Sequence, residues 1–247
     1  MLADLGVAFD VPGFVQKVCP ADVSLQGTKE PAWNRFTWIL QARTQSDRSS
    51  VFFRGQENAE WSLQAGIDRP SYSTYRRQRS VTRAVHERTL FDDFKRAARR
   101  HLLGIPADDW EWLAIAQHHG LATRLLDWTR NPLAALFFAV DGVPNCDAAV
   151  YVYAPTTVGV PNCGPFDVER VCIFDPPHVD DRISAQGGCF SLHPTDPAIW
   201  QGDLGKIVVR KDRRDPIRRQ LRSMGMSRSL LFPGLDALAR HINGVSV

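Results

Sequence analysis

The chain of 247 residues (27.7 kDa) is 44% hydrophobic and 23% charged, ordinary globular proportions, and long enough for one large domain or one domain with appendages. Folding at this size buries about three quarters of the unfolded surface, so neither disulfides nor a structural metal is needed to hold it. A net charge of +3 excludes an acidic tail protein, no run of eighteen apolar residues exists to span a bilayer, and the acidic start MLADLGVAFDVPGF lacks the flanks of a signal peptide.

Residues 1–28 read as an irregular segment with a short strand near Phe14–Val18, and 29–247 as the domain itself. Glu30–Arg43 reads as a helix carrying Trp33, Phe36, Trp38 and Leu40. Val51–Phe53 is a short apolar strand that ends at Arg54-Gly55-Gln56, Trp61–Leu63 another strand, and Asp68–Pro70 a turn. Thr82–Leu103 is a long helix with an apolar stripe of Val85, Leu90, Phe91, Phe94 and Ala98. Pro106–His118 is a second helix, opened by Pro and acids and closed at Gly120. Leu121–Trp128 is extended, and Asn131-Pro132 starts a helix whose core side is Leu133, Leu136, Phe137 and Val140. The β-branched and aromatic run Ala148–Tyr153 is a strand, followed by a Pro/Gly-rich loop over 154–168. Val171–Phe174 is a strand stopped by Asp175-Pro176-Pro177, and Asp180–Ala185 a helical turn. Cys189–Leu192 and Lys206–Val209 are late strands, and Asp215–Met224 and Gly234–Ile242 closing helices. Strands placed among helices without regular alternation argue for an α+β class with a mostly antiparallel sheet.

Cys19, Cys146, Cys163, Cys172 and Cys189 are odd in number and form no CxxC pair, which suits reduced thiols in a cytoplasmic protein and gives no zinc site. Charge is uneven. Arg69–Arg100 holds ten basic and three acidic residues and Lys206–Arg228 nine and two, each a local +7, so the remainder sums to −11. Such blocks attract phosphates, but helix faces in water are the favoured reading, most of all for the first block with its apolar stripe. The second block contains no aromatic residue to stack a base, and nucleic acid is the less favoured partner.

No GxxxxGK[ST], GxGxxG, HExxH or GxSxG signature occurs. What remains is a set of polar residues in apolar surroundings. Arg54 at a strand end is either a surface arginine or a planar fork for phosphate or carboxylate. Gly55 after it would let a ligand approach the backbone. Arg124 and Asp127, within TRLLDWT, are either a buried ion pair or polar groups of a pocket walled by Trp128 and Phe137. His118 and His119 point to different helix faces, so at most one meets such a pocket. Gln186, at the glycine-rich corner Gln186-Gly187-Gly188, either satisfies a turn or hydrogen-bonds a ribose hydroxyl or amide.

Together FRGQ at Phe53–Gln56, Trp61-Ser62-Leu63, and QHHGLATRLLDWTRNPLAALFFA at Gln117–Ala139 resemble the FRG domain family, named for its Phe-Arg-Gly motif. RISAQGGCF at Arg182–Phe190 and LLFPGLDALA at Leu230–Ala239 look like further blocks of it, so the resemblance covers roughly residues 30–242. The family occurs in bacteria and phages and resembles, at a distance, the ADP-ribosyltransferase fold, a split sheet clasping NAD. The resemblance implies a cytoplasmic, NAD-dependent ADP-ribosyltransferase or NAD glycohydrolase, a toxin-like effector of bacterial or phage defence, with NAD as substrate and no metal. A non-catalytic nucleotide or nucleic-acid binding module is the alternative.

By order along the chain the resemblance implies Arg54, Asp127 and Gln186 as the catalytic set. It implies Arg54, Gly55, Gln56, His119, Thr123, Arg124, Trp128, Thr129, Phe137 and Arg182 as the nucleotide contacts. The third motif offers Gln186 where transferases have a glutamate; an amide hydrogen-bonds but supplies no negative charge. Asp127 and Glu57 are the acids near these motifs in sequence.

Overall fold

Among the described residues the backbone organises around one antiparallel sheet of seven strands. They are β1 (Val7–Asp10), β2 (Phe52–Gln56), β3 (Leu125–Thr129), β4 (Ala148–Pro155), β5 (Cys172–Phe174), β6 (Gly188–Leu192) and β7 (Gly202–Val209), in the order β1-β7-β4-β2-β3-β6-β5. Between them run α1 (Arg83–Ala98), α2 (Asp109–His118) and α3 (Pro132–Val140); α4 (Lys211–Ser223) and α5 (Arg228–Leu231) follow the last strand. This computed structural model describes residues 7–10, 51–72, 81–142, 145–155, 158–176, 185–194 and 202–235, with 239 and 242. The strand expected near 14–18, the helix over 30–43, most of the turn at 180–185 and most of the helix at 234–242 lie outside them. The α+β class, the antiparallel sheet and the flanking helices agree with expectation. Among the described residues no helix is long and apolar enough to cross a membrane.

Strand alternation sorts the core into two faces. Phe53, Val150, Val152 and Ile207 pack under α3 and α4. Leu125, Phe174, Phe190 and Leu192 pack with Phe91, Trp110 and Leu113 of α1 and α2. On the opposite face Phe52, Leu126, Trp128, Tyr151 and Tyr153 meet Ala59 and Leu63 from the segment after β2. Strand β4, AAVYVYAP, is buried on both faces except at its last residue, as its β-branched and aromatic composition allows.

Local chemistry sets the helix starts. Asn131 Oδ1 accepts from Leu133 N and Ala134 N, and Pro132 stands first in α3. Asp108 accepts from Trp110 N and Glu111 N, so α2 begins at Asp109, three residues later than the proline suggested. Trp61–Leu63 is not a strand, because the Trp61 carbonyl is taken by Gln56 Nε2 and Tyr151 Oη rather than by a neighbouring backbone. Helix α4 begins at Lys211, before Pro216. Its Arg214 donates to Glu57 O and Gly142 O, and Arg218 to Val140 O and Gly142 O. These two arginines of the second basic block thus satisfy the carbonyls at the end of α3, while Ile217 and Leu221 face the core at i, i+4, as the sequence spacing indicated. Strand β1, inside the stretch expected to be irregular, pairs with β7 from Val7↔Val209 to Asp10↔Lys206.

The sheet is weakest in the middle. Strand β2 opposes β4 over five residue pairs and β3 opposes β6 over five, yet β2 and β3 share a single pair, Phe53↔Thr129. Beyond it α3 lies directly on β2. A Cβ at Gly55 would stand 2.0 Å from Ala135 O and 2.6 Å from Ala139 N. The glycine therefore serves close helix–strand packing, and its bare side points at α3 rather than at a ligand. Gly55→Ala must displace α3, at a cost of about 2–3 kcal/mol or more. Urea unfolding of the variant measures this, and an unchanged midpoint would contradict the packing role.

Candidate functional site

Where β2 and β3 part, a side chain does the work of a backbone. Continuing the register past Phe53↔Thr129 would set Gly55 opposite Asp127, but the ladder stops. Instead Arg54 Nη1 donates to Asp127 O at 2.7 Å, so a guanidinium takes the carbonyl that a strand neighbour would have taken. Nη1 also lies 3.7 Å from Asp127 Oδ2. Arg54 Nε is buried and, among the described residues, is the only buried side-chain nitrogen or oxygen without a hydrogen-bond partner. Burial pushes the guanidinium below its ordinary pKa; the Asp127 carboxylate opposes that shift and Arg69 reinforces it. A largely desolvated cation with an unsatisfied N–H favours an anion beside it.

The parting opens a cleft of about 780 Å³. Its walls include Arg54, Gly55, Gln56, Asp127, Trp128, Thr129 and Gln186, seven of the residues singled out in the sequence. They also include Glu57, the second acid noted beside these motifs, and Glu60, Trp61, Arg69, Phe138 and Phe232, which the site reading did not name. Asp127 projects its carboxylate into solvent, with a side-chain exposure of 60%. Gln117 Nε2 holds Oδ2 at 3.1 Å. That amide has only one possible orientation. The Asp127 carboxylate only accepts, so Nε2 faces it, and Oε1 accepts the hydrogen of Thr123 Oγ1. Gln117 was quoted within QHHG but not named; its role becomes visible only once α2 and β3 are adjacent.

Gln186 follows the anticipated corner. Residues 185–186 are helical, Gly187 has φ +57°, and β6 starts at Gly188. Its backbone carbonyl accepts from Thr129 Oγ1, and its Nε2 donates to Leu231 O at 2.9 Å. Gln56 is turned to the loop, donating to Trp61 O at 3.0 Å.

Four expected contacts lie elsewhere. Arg124 is paired not with Asp127 but with Glu87 of α1, at 2.9 Å from Nε and 2.7 Å from Nη2, with 1% and 2% of the two side chains exposed. It is a structural ion pair between β3 and α1. Thr123 is buried and serves the Gln117 amide. Phe137 faces the core, and its neighbour Phe138 lines the cleft instead. His119 is exposed at the end of α2, stacked edge-on against His118, and outside the cleft lining. Trp128 lines the cleft but its ring is buried against Tyr153, so it offers no free face. Arg182 lies outside the described residues.

Behind the cleft, Trp128 Nε1 donates to Ser191 Oγ at 2.8 Å, and Ser191 Oγ lies 2.9 Å from His193 Nε2. Sequence reading missed His193, which no motif marks. Burial pushes its pKa down to about 4, so it is neutral at physiological pH. Burial also pushes the Cys189 thiol up to about 12 and Cys172 up to about 11, which leaves neither as a ready nucleophile. Among the described residues no group of three or more His, Cys, Asp and Glu could hold a metal ion.

Residues 49–147 match the family model of the FRG domain, and over that stretch the chain is an FRG domain. No curated protein and no solved structure matches the chain. The matched stretch contributes Arg54, Asp127 and Phe138 to the cleft and Gln117 behind Asp127; Gln186 and Phe232 complete the cleft from beyond it.

The two arginines have opposite expected behaviour in a melt. Arg124→Ala leaves the buried Glu87, among the described residues, only the longer ion pair with Arg83, at 3.8 Å, and should cost about 3–5 kcal/mol. Arg54→Ala frees the Asp127 carbonyl and an exposed carboxylate beside a cleft that water can enter, and should cost less, about 1–2 kcal/mol. Equal losses would make Arg54 a structural residue.

Acid should act through His193. The unfolded chain takes a proton on this residue below about pH 6.5, but the folded chain does so only near pH 4. Stability is therefore lost as pH falls from 6.5 to about 4, by up to roughly 3 kcal/mol at 1.36 kcal/mol per unit. Urea unfolding at pH 7 and 4.5 should show this loss in the wild type and a smaller one in His193→Gln. The same loss in both would contradict it.

Proposed function

We propose that this chain, carrying an FRG domain over residues 49–147, binds NAD in the cleft between β2 and β3 and cleaves its nicotinamide–ribose bond, with water or a macromolecular group as acceptor. The observation that carries this reading is Arg54: a desolvated guanidinium with an idle Nε, beside an exposed carboxylate, in a cleft of nucleotide size. The parting of the antiparallel sheet at that point supports the split-sheet arrangement implied by the resemblance to ADP-ribosyltransferases.

In this reading Arg54 binds the pyrophosphate, with Arg69 adding positive charge at the mouth. The bond from ribose C1′ to the pyridinium nitrogen breaks, and its electron pair leaves with neutral nicotinamide. Positive charge develops on the ribose, where Asp127 supplies the compensating negative charge that Gln186 lacks. Gln117 holds that carboxylate in place. Asp127 then takes the proton of the incoming water or acceptor hydroxyl as its oxygen bonds to C1′. Gln186, with Nε2 committed to Leu231 O, offers Oε1 to a ribose hydroxyl.

One observation favours the alternative of binding without turnover: the Asp127 carboxylate is shared between Gln117 and Arg54, which weakens it as a source of negative charge. Calorimetric titration with NAD and ADP-ribose, together with chromatographic assay of nicotinamide, separates the two. Binding with nicotinamide release supports the enzyme, and Asp127→Asn should then abolish release while largely preserving affinity. Binding without release supports the module. In either case Arg54→Ala should weaken affinity by about 10- to 100-fold. Undiminished affinity would refute the site.

A further inference from the structure

The segment after β2 holds an indole out in water on a fixed backbone. Trp61 is 55% exposed and lines the cleft. Among the described residues no ring or cation packs on it. A single exposed apolar side chain is normal on any surface. This one differs in what lies beneath it. Gln56 Nε2 and Tyr151 Oη both donate to Trp61 O, at 3.0 and 3.2 Å. Trp61 N donates to Asn58 O and Ala59 N to Asp147 O. Glu60 N donates to Asn58 Oδ1, and Lys206 Nζ to Ala59 O. The sheet grips this loop by its main chain and leaves its largest apolar side chain facing the cleft.

The other aromatic side chains of the cleft are engaged. Phe138 and Phe232 meet edge to face at 5.9 Å, and Arg228 lies over the Phe232 ring. Trp128 is buried against Tyr153 with its N–H given to Ser191. Of the rings in this wall, Trp61 alone has a free face among the described residues.

We infer that Trp61 is a preorganised stacking platform for a planar heteroaromatic ring of the bound ligand, the adenine or the pyridinium of a nucleotide. This rests on the nucleotide reading above and identifies the element that recognises the ring end of the ligand, as Arg54 recognises its anionic end. An aromatic face stacks on a flat heterocycle whatever its hydrogen-bonding edge, and most strongly on a cationic one. Because the backbone is already fastened, binding immobilises little that was free.

The test is calorimetric titration of the full chain with AMP and, separately, nicotinamide mononucleotide. The variants are Trp61→Phe, Trp61→Leu and Trp61→Ala. With the side chain exposed, all three should melt close to the wild type. For whichever mononucleotide the wild type binds, Trp61→Ala and Trp61→Leu should bind about 10- to 100-fold more weakly, and Trp61→Phe should retain most of the affinity. A loss confined to AMP assigns the adenine to the platform, and a loss confined to nicotinamide mononucleotide assigns the pyridinium. Wild-type affinity in both Trp61→Leu and Trp61→Ala would overturn the platform and leave the nucleotide reading standing. Absence of binding of NAD, AMP and nicotinamide mononucleotide to the wild type would overturn both.

Discussion

An arginine side chain replaces a stretch of β-ladder at the centre of this fold. Strands β2 and β3 meet at Phe53 and Thr129 and then separate, and Arg54 bridges the gap to the Asp127 carbonyl. Two halves of the sheet, β1-β7-β4-β2 and β3-β6-β5, are thereby kept together across an opening. A backbone carbonyl left bare there would need another partner. Satisfying it with a guanidinium leaves a cation at the seam, with nitrogens to spare and a carboxylate nearby. The structural and the candidate chemical roles of Arg54 are two uses of one geometry.

The surrounding parts hold the opening at a fixed width. Gly55 lets α3 press onto β2 from one side. Arg214 and Arg218 of α4 fasten the end of α3. The Arg124–Glu87 pair ties the start of β3 to α1, and Gln117 ties its middle to α2. On the far side of the sheet, the Trp61 carbonyl is held by Gln56 and Tyr151. Many of these ties are polar and join elements distant in sequence, so the cleft is a product of tertiary structure rather than of any single motif.

What the sequence made legible was what local chemistry decides. Asn131-Pro132 marked the start of α3, the glycine corner marked the entry to β6, and the convergence of Arg54, Asp127 and Gln186 followed from polar residues at strand ends. The errors concern partners and directions. Arg124 and Asp127 are three apart in extended chain, which puts them on opposite faces; parity alone argued against their pairing. Its true partner, Glu87, lies 37 residues away in α1 and carries no local signal. The glycine of Phe-Arg-Gly was recognised as a close-approach residue, but which body approached it depended on which face α3 occupies. Phe137 and Phe138 differ by a rotation of one residue about the helix, enough to exchange core for cleft. Trp61–Leu63 looked like a strand because its apolar composition does not reveal that side chains, not a neighbouring strand, take its carbonyl.

The central claim is that the parted seam is a binding site whose anionic end is read by Arg54. A crystal structure of the chain soaked with ADP-ribose tests it most directly. The account predicts ligand density between β2 and β3, with a phosphate oxygen within hydrogen-bond distance of the Arg54 guanidinium. Well-defined ligand bound elsewhere, or a cleft left empty at saturating ligand, would contradict it.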